Sequence, residues 1–308
     1  MALSVKANVN GTDYTLTLNT STGKYEATVT APSASSYPNN AGHYFPVTVT
    51  ATDEANNSTS VNDTHSEFGT DLRLFVKEKI LPTITNVSPS SGANITSSNP
   101  TISFKVLDNA NGQTTGFSGI DISTLKLVVN GSSIDKSKIT TRAITGGYEC
   151  EYTPTEALED GNCVYTVTVS DFDGNTSQTT TVTFKIDTQP PTLNITSPEN
   201  GIFTNSETIV VTGNTSDQTS SPVTISIKVG STDQGEVTVK ADGTFSKTVT
   251  LENGLNTITI TATDTAGKQS IVTKTITLKT DAPVIKSVAI TPNPVDAGKT
   301  YVISVEVE

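Results

Sequence analysis

The stretch FPVTVTATDEANN at Phe45–Asn57 decides the fold class, because it recurs twice more along the chain. The second copy is YTVTVSDFDGN at Tyr165–Asn175, and the third is NTITITATDTAGK at Asn256–Lys268. In each copy apolar residues alternate with Thr or Ser, and this period of two predicts a half-buried β-strand. The Asp eight positions after each start, together with the neighbouring Gly or Asn, predicts a hairpin turn. Those aspartates are Asp53, Asp173 and Asp264.

A second repeated element opens each unit with a proline. It reads PTITNVSPSSGANITSSNPTISFKVLD from Pro82, PTLNITSPENGIFTNSETIVVTGNTSD from Pro191, and PVIKSVAITPNPVDAGKTYVISVEVE from Pro283. Each copy holds a short strand, a Ser-Pro or Thr-Pro turn and a second strand, with the opening Pro where a missing N–H is tolerated. The starts are 191 − 82 = 109 and 283 − 191 = 92 residues apart. An immunoglobulin-like sandwich has about 100 residues.

These repeats predict an all-β fold of tandem immunoglobulin-like antiparallel β-sandwiches. The predicted domains are residues 1–81, 82–190 and 191–282, followed by a two-strand segment at 283–308. The first 30 residues match the middle of the third domain rather than its start. We therefore expect the first domain to lack its first two strands, and the final segment to consist of those two strands alone.

The final segment suggests how copies of the chain could associate. An isolated two-stranded hairpin is marginally stable in water, so we hypothesise that it completes the first domain of a neighbouring subunit by strand addition, giving a homo-oligomer. The core would then include Val284, Ile285, Val288, Ile290, Val302 and Val305. The alternatives are that the first domain closes with its own strands, that the segment packs on another protein, or that the chain is cut short.

Composition excludes several classes of partner. Only 33% of the 308 residues are hydrophobic and Trp is absent, which favours several thin sandwiches over one large core. The net charge of −12 disfavours a nucleic acid or an anionic membrane surface. No apolar run approaches the length of a membrane span, so no membrane insertion is expected. The first residues, MALSVKANVNG, do not resemble a secretory signal.

The sequence predicts no catalytic residues and therefore no enzyme. Its two imidazoles, His43 and His65, lie outside HExxH, and GxSxG is absent. A glycosidase pair of carboxylates is left open, but no cofactor is expected apart from calcium. The calcium candidates are Asp171, Asp173, Asn175 and Asp187, since calcium prefers oxygen ligands. The alternative is that these residues only form turns.

Two further questions are left open by the residues. Twelve residues separate Cys150 from Cys163, and neither lies in a CxxC motif, so they could form a disulfide or remain two buried thiols. The loops Ser33–Gly42 and Asn109–Gly119 are candidates for receptor contact, because binding residues are often carried on loops.

The repeats resemble bacterial Ig-like domains that end in TATDxAGN followed by a Thr-rich strand. The chain as a whole is similar to Ig-like proteins of prophage tail modules, or of phage-tail-like particles, from Gram-positive bacteria. This similarity rests on a combination of four stretches: MALSVKANVNGTDYTLTLN, AGHYFPVTVTATDEANN, DTQPPTLNITSPENG and the closing APVIKSVAITPNPVDAGKTYVISVEVE. This resemblance implies a virion structural protein near the baseplate or fibres, made in the cytoplasm and released by lysis.

The same resemblance implies other tail or baseplate subunits as partners, with a role in adhesion to the host and a bacterial surface glycan as a further partner. It carries no catalytic residues. The alternative is a stalk fragment of a bacterial cell-surface adhesin, which would lie on the cell surface. Fold family alone does not choose between these functions.

Overall fold

The computed structural model describes residues 3–109 and 115–308, which form β-strands, turns and one short 3-10 helix. The chain divides into two compact units, residues 1–187 and 188–308. Strand pairs are antiparallel, except that two short strands, β8 and β17 below, each pair in parallel with a neighbour. The predicted fold of tandem antiparallel β-sandwiches is therefore confirmed. No helix within the described ranges has the length and apolar character needed to cross a membrane.

The first part of unit 1, which we call the first sheet, has six strands in the order β3-β2-β1-β4-β5, with β6 paired to β4. The strands are β1 (Ser4–Val9), β2 (Thr12–Asn19), β3 (Lys24–Glu26), β4 (Phe45–Thr52), β5 (Ser58–Val61) and β6 (Arg73–Leu74). The β1–β2 turn is Asn10-Gly11, whose φ angles of 49° and 81° suit a two-residue hairpin.

The rest of unit 1 is the second sandwich, built of two sheets. Their orders are β12-β13-β9-β7 and β11-β10-β14-β15-β8. The strands are β7 (Thr83–Ser88), β8 (Asn94–Ile95), β9 (Ile102–Leu107), β10 (Ile120–Val129), β11 (Ser132–Ser133), β12 (Thr140–Ile144), β13 (Gly147–Tyr152), β14 (Gly161–Asp171) and β15 (Thr180–Ile186). The 3-10 helix at Lys136–Lys138 is capped by Asp135, whose side chain accepts from the backbone N–H of Ser137.

Unit 2 contains the third sandwich and a separate two-stranded hairpin. The two sheets of the sandwich have the orders β16-β18-β21 and β17-β23-β22-β19-β20, and β24 pairs with β25 alone. The strands are β16 (Thr192–Ser197), β17 (Ile202–Thr204), β18 (Thr208–Ser216), β19 (Thr224–Val229), β20 (Thr232–Asp233), β21 (Thr244–Thr250), β22 (Gly254–Thr263), β23 (Gln269–Leu278), β24 (Ile285–Thr291) and β25 (Val302–Val307).

Buried apolar residues are unevenly shared among these parts. The second sandwich has a core of 16 buried residues, including the fully enclosed Tyr165 and Phe104. The third sandwich has a core of 14 buried residues, which shares no residue with the core of the second sandwich. In the first sheet the described buried hydrophobics are Val5, Val9 and Phe45. This sheet therefore has a far thinner core than either sandwich.

The two cysteines are unpaired, which answers the question that the sequence left open. Cys150 lies opposite Phe104 in one sheet of the second sandwich, and Cys163 lies opposite Phe184 in the other. Both thiols are free and at most 1% exposed. Burial raises the pKa of Cys150 to about 12, so this thiol stays protonated and unreactive in the folded protein.

Candidate functional site

Three acidic side chains meet at one end of the second sandwich, and we call them the acidic cluster. They are Glu78, Asp108 and Asp171, which are 7%, 2% and 2% exposed. One carboxylate oxygen from each lies within 4.8 Å of one from each of the others. Burying a carboxylate without a compensating partner is costly, so three buried carboxylates in one place mark a candidate functional site.

A turn at the end of β14 fixes Asp171. The backbone N–H of Asp171 donates to the carbonyl of Asn175 (3.0 Å), and its Oδ1 accepts from the Asn175 N–H (2.8 Å). Gly174 adopts a φ of 89°, which its missing Cβ allows. Asp53 and Asp264 make the same pair of bonds with the residue four positions later.

This geometry corrects the sequence alignment of the three turns. The sequence analysis matched Asp173 to Asp53 and Asp264, whereas the structure shows that Asp171 is their equivalent. The copy in the second sandwich reaches its turn two residues sooner after its first Tyr, and counting from that residue misplaced the aspartate. Asp173 instead directs its Oδ2 to the backbone N–H of Glu78 at 3.0 Å.

Asp108 immediately follows β9, and its backbone N–H donates to the carbonyl of Gly146 at 2.8 Å. Its Oδ2 accepts from the backbone N–H of Gly119 at 2.6 Å. Its Oδ1 is buried and has no hydrogen-bond partner among the described residues. A buried oxygen of this kind in a native fold calls for an explanation, such as an unobserved ion or water.

Glu78 comes from the linker between β6 and β7, so it brings the first part of the chain to the second sandwich. The side-chain nitrogen of Asn175 lies 3.1 Å from the Glu78 carbonyl, 3.0 Å from Glu78 Oε1 and 2.7 Å from Asp171 Oδ2. The other oxygen, Oε2, accepts from the backbone N–H of Ile80. Asn175 therefore bridges the linker and the end of β14.

Two carboxyl groups of the cluster, those of Glu78 and Asp108, have a raised pKa. Burial raises the pKa of Glu78 from its usual 4.5 to about 7, and the hydrogen bond to Asp171 adds to that rise. Burial also raises the pKa of Asp108, reinforced by the negative charges of Asp171 and Asp173 and opposed by the Gly119 N–H. The ammonium of the exposed Lys77 donates to the Asp173 carbonyl at 3.2 Å, not to a carboxylate.

The structure brings together three of the four predicted calcium candidates. Asp171 belongs to the cluster, and Asp173 and Asn175 border it. Asp187 is not among the residues gathered there, because it follows β15, where its backbone N–H donates to the carbonyl of Ile95.

Sequence reasoning missed Glu78 and Asp108, although the repeat contained a signal for both. Asp108 lies 108 − 82 = 26 residues after the opening Pro82, and Asp217 lies 217 − 191 = 26 residues after Pro191. An acidic residue also stands four positions before each of these prolines, Glu78 in one case and Asp187 in the other. Recurrence of acidic residues at fixed offsets in different repeats points to a common role.

Other contacts join the first part of the chain to the second sandwich near the acidic cluster. The ring of Tyr37 stacks on that of Phe172, with 4.3 Å between centroids, and on His43, with 3.8 Å. The N–H of Ser35 donates to the carbonyl of Gly116 at 2.8 Å. The predicted receptor loop Ser33–Gly42 is therefore partly engaged within unit 1. In the other predicted loop, residues 110–114 lie outside the described ranges.

Both imidazoles support local structure. His43 places its Nδ1 2.7 Å from the carbonyl of Tyr37. The Nδ1 of His65 lies 3.2 Å and 3.3 Å from the backbone nitrogens of Glu67 and Phe68, which donate to it, and its ring stacks on that of Phe68. Neither geometry leaves an imidazole paired with a nucleophilic side chain.

Comparisons with known protein families identify two modules in successive segments of the chain. Residues 90–188 match the model described as a bacterial Ig-like domain, and residues 191–280 match the model described as glucodextranase, domain B. Bacillopeptidase F of Bacillus subtilis (strain 168) is 35% identical over 104 residues, which are 34% of this chain and only 7% of that protein. The Ig-like part of the expected resemblance is thus confirmed, whereas its phage part gains no support from these matches.

Solved structures with a similar fold include two tandem arrays. The fibronectin(III)-like modules of Clostridium thermocellum CbhA give a TM-score of 0.37 at 16% identity, covering 65% of this chain and 94% of theirs. Immunoglobulin domains 1–5 of Sidekick-1 give a TM-score of 0.39 at 13% identity, covering 100% of this chain and 60% of theirs. Neither likeness bears on function.

Proposed function

We propose that this chain is a non-enzymatic stalk segment of a bacterial cell-surface or secreted protein. The observation that carries the proposal is the pair of family matches, because a bacterial Ig-like module ending at residue 188 is followed at residue 191 by a second module, described as glucodextranase, domain B. The acidic composition and the two dense, independent cores fit a spacer that must remain folded outside the cell.

The proposal is tested by locating the protein in the bacterium that produces it. We expect an antibody raised against the 308-residue chain to label intact cells or to detect the protein in culture medium during growth. The measurement is immunogold labelling of intact cells beside immunoblots of medium, cell-wall and cytoplasmic fractions, with a cytoplasmic enzyme as the control for lysis. A signal confined to the cytoplasm would contradict the stalk function.

A second candidate is a structural subunit of a phage tail or phage-tail-like particle. The observation that favours it is the hairpin β24–β25, in which cross-strand partners share a face. One face is wholly apolar, and its side chains are between 44% and 62% exposed. These six residues are Ile285, Val288, Ile290, Ile303, Val305 and Val307.

This register corrects the predicted composition of the hairpin's apolar face. The sequence analysis placed Val284 and Val302 on it, but Val302 lies opposite Thr291 on the polar face. Val284 pairs with Glu308 beside the irregular pairing near Ile285, and it also points away from the apolar side. The irregular pairing between Ile285 and Ser287 accounts for Val284. In β25 the pairing is regular, so Ile303 and Val307 share the face of Val305.

The first sheet offers an apolar face of matching type. Its cross-strand partners include Val5 opposite Leu16 and Ala51, and Val49 opposite Ala7 and Val61. The strand order β2-β1-β4-β5 corresponds to the order β20-β19-β22-β23 in one sheet of the third sandwich. In that sandwich the other sheet, which contains the opening strands β16 and β18, packs on it. The hairpin has the sequence pattern of those opening strands. We therefore propose that it covers the first sheet of a second copy of the chain.

Strand addition of this kind would join copies head to tail. Burying six aliphatic side chains contributes about 10 kcal/mol before association costs. We expect the intact chain to form oligomers and Val305→Lys to abolish them, because the change puts a charge on the apolar face. Light scattering coupled to gel filtration measures the mass, and Ser304→Lys on the polar face is the matched control. An unchanged mass for Val305→Lys would exclude this assembly.

A further inference from the structure

We propose that the acidic cluster of Glu78, Asp108 and Asp171 is a calcium site that ties the linker before β7 to the second sandwich. This goes beyond the proposed stalk function and does not depend on it. The three side chains come from separate parts of the chain: the linker, the end of β9 and the end of β14. A single ion bound by all three would cross-link these parts.

The donor set fits calcium. Calcium takes six to eight oxygen ligands at about 2.3–2.6 Å, so its ligand oxygens lie no more than about 5 Å apart. The three carboxylates meet that limit, since their oxygens lie within 4.8 Å of one another. The cluster contains neither sulfur nor imidazole, the ligands that softer metals prefer. Water and bordering oxygens would supply the remaining positions.

A second observation, independent of the clustering of charge, also points to a ligand. Asp108 is 2% exposed and its Oδ1 has no hydrogen-bond partner among the described residues, yet its carboxylate faces those of Glu78 and Asp171. The other oxygen is already held by Gly119. A turn-forming role explains the bonds of Asp171 to Asn175, but it does not explain this buried, unpartnered oxygen.

The charge balance leads to the same conclusion. Asp173 lies next to the cluster, and its carboxylate accepts a hydrogen bond from the backbone N–H of Glu78. Four carboxylates therefore share this end of the sandwich. The described cation at this place, Lys77, bonds to a backbone carbonyl instead of a carboxylate. A divalent ion would offset the mutual repulsion of the carboxylates and satisfy Asp108 Oδ1 at the same time.

Calcium titration of the metal-free chain tests the site. After removal of metal with EDTA, the intact protein is titrated with CaCl₂ by calorimetry, and so are Asp108→Asn and Glu78→Gln. We expect each variant to bind one Ca²⁺ fewer per chain than the unmodified protein. Asp53→Asn is the matched control, because Asp53 occupies the same turn position in the first sheet but belongs to no such cluster among the described residues. It should bind the full number.

Thermal unfolding separates ion binding from a purely structural role of the carboxylates. In EDTA, Asp108→Asn should melt no lower than the unmodified protein, because the change removes repulsion from the cluster. Saturating calcium should raise the midpoint of the unmodified protein by about 5 °C and that of Asp108→Asn by clearly less. Both variants are nearly isosteric, and either alone decides the question if the other fails to fold.

Two outcomes would overturn the proposal. One is an unchanged number of bound ions in Asp108→Asn and Glu78→Gln. The other is the absence of binding by the unmodified protein up to about 1 mM calcium, the weak end of the range for extracellular calcium modules.

Discussion

Replacing Phe184 by Ala is expected to lower the free energy of unfolding of the second sandwich by about 3–5 kcal/mol. Phe184 is 1% exposed and meets the ring of Tyr165 edge-on, with 6.1 Å between centroids. It also lies opposite Cys163 on the neighbouring strand. Removing the ring leaves a cavity between the two sheets that the surrounding side chains fill only in part.

The two buried thiols give a readout specific to the second sandwich. Cys150 and Cys163 are the chain's two cysteines, and both lie in this core. In the unmodified protein the two thiols should react with Ellman's reagent only upon unfolding. In Phe184→Ala their reaction at neutral pH should be faster by a factor of about 100 or more. The reason is that each loss of about 1.4 kcal/mol in stability raises the population of the unfolded state about tenfold.

Phe203→Ala is the matched control for this prediction. Phe203 lies on β17 of the third sandwich and is 69% exposed. Its loss removes little buried area, so the expected change in stability is within about 1 kcal/mol, including its contact with Lys279. Equal effects of the two substitutions would contradict the assignment of inner and outer positions.

The fold was predictable from the sequence because its signals are local. The alternation in YTVTV and NTITI marks which side chains face inward, and Val167, Val169, Ile258 and Ile260 are all buried as that period requires. Turn residues such as Asn10-Gly11 and the prolines that open the repeats are also local signals. Such signals do not depend on how distant parts of the chain meet.

The candidate site was only partly predictable, since it depends on contacts between distant residues. Asp171, Asp173 and Asn175 are close in sequence and were predicted together as calcium candidates. Glu78 and Asp108 lie 93 and 63 residues before Asp171 (171 − 78 and 171 − 108), in segments that hydrophobic periodicity describes as a linker and a strand end. Nothing local distinguishes a buried acidic residue from an exposed one, and only comparison between repeats could have marked them.

The hairpin shows a different limit of sequence reasoning. Its strands were predicted, but two of the six residues assigned to its apolar face lie on the other side. Val302 lies on the other side from Val305 by the period of two itself, because β25 is regular, whereas the irregularity between Ile285 and Ser287 moves Val284 off the apolar face. A single extra residue in a strand is invisible to a pattern that counts positions.

Replacing Ile260 by Ala is expected to destabilise the third sandwich by about 2–5 kcal/mol and to leave the second unaffected. Ile260 is fully buried on β22, and the two cores have no residue in common. Ile271→Ala, on the adjacent β23 and 60% exposed, is the matched control and should cost less than about 1 kcal/mol. Chemical denaturation followed by circular dichroism measures the loss, while Ellman's reagent reports on the second sandwich alone.

Because the thiols belong only to that core, their protection should be the same in Ile260→Ala as in the unmodified protein. If their reaction accelerates with the loss of the third sandwich, the two cores unfold together instead of as independent modules.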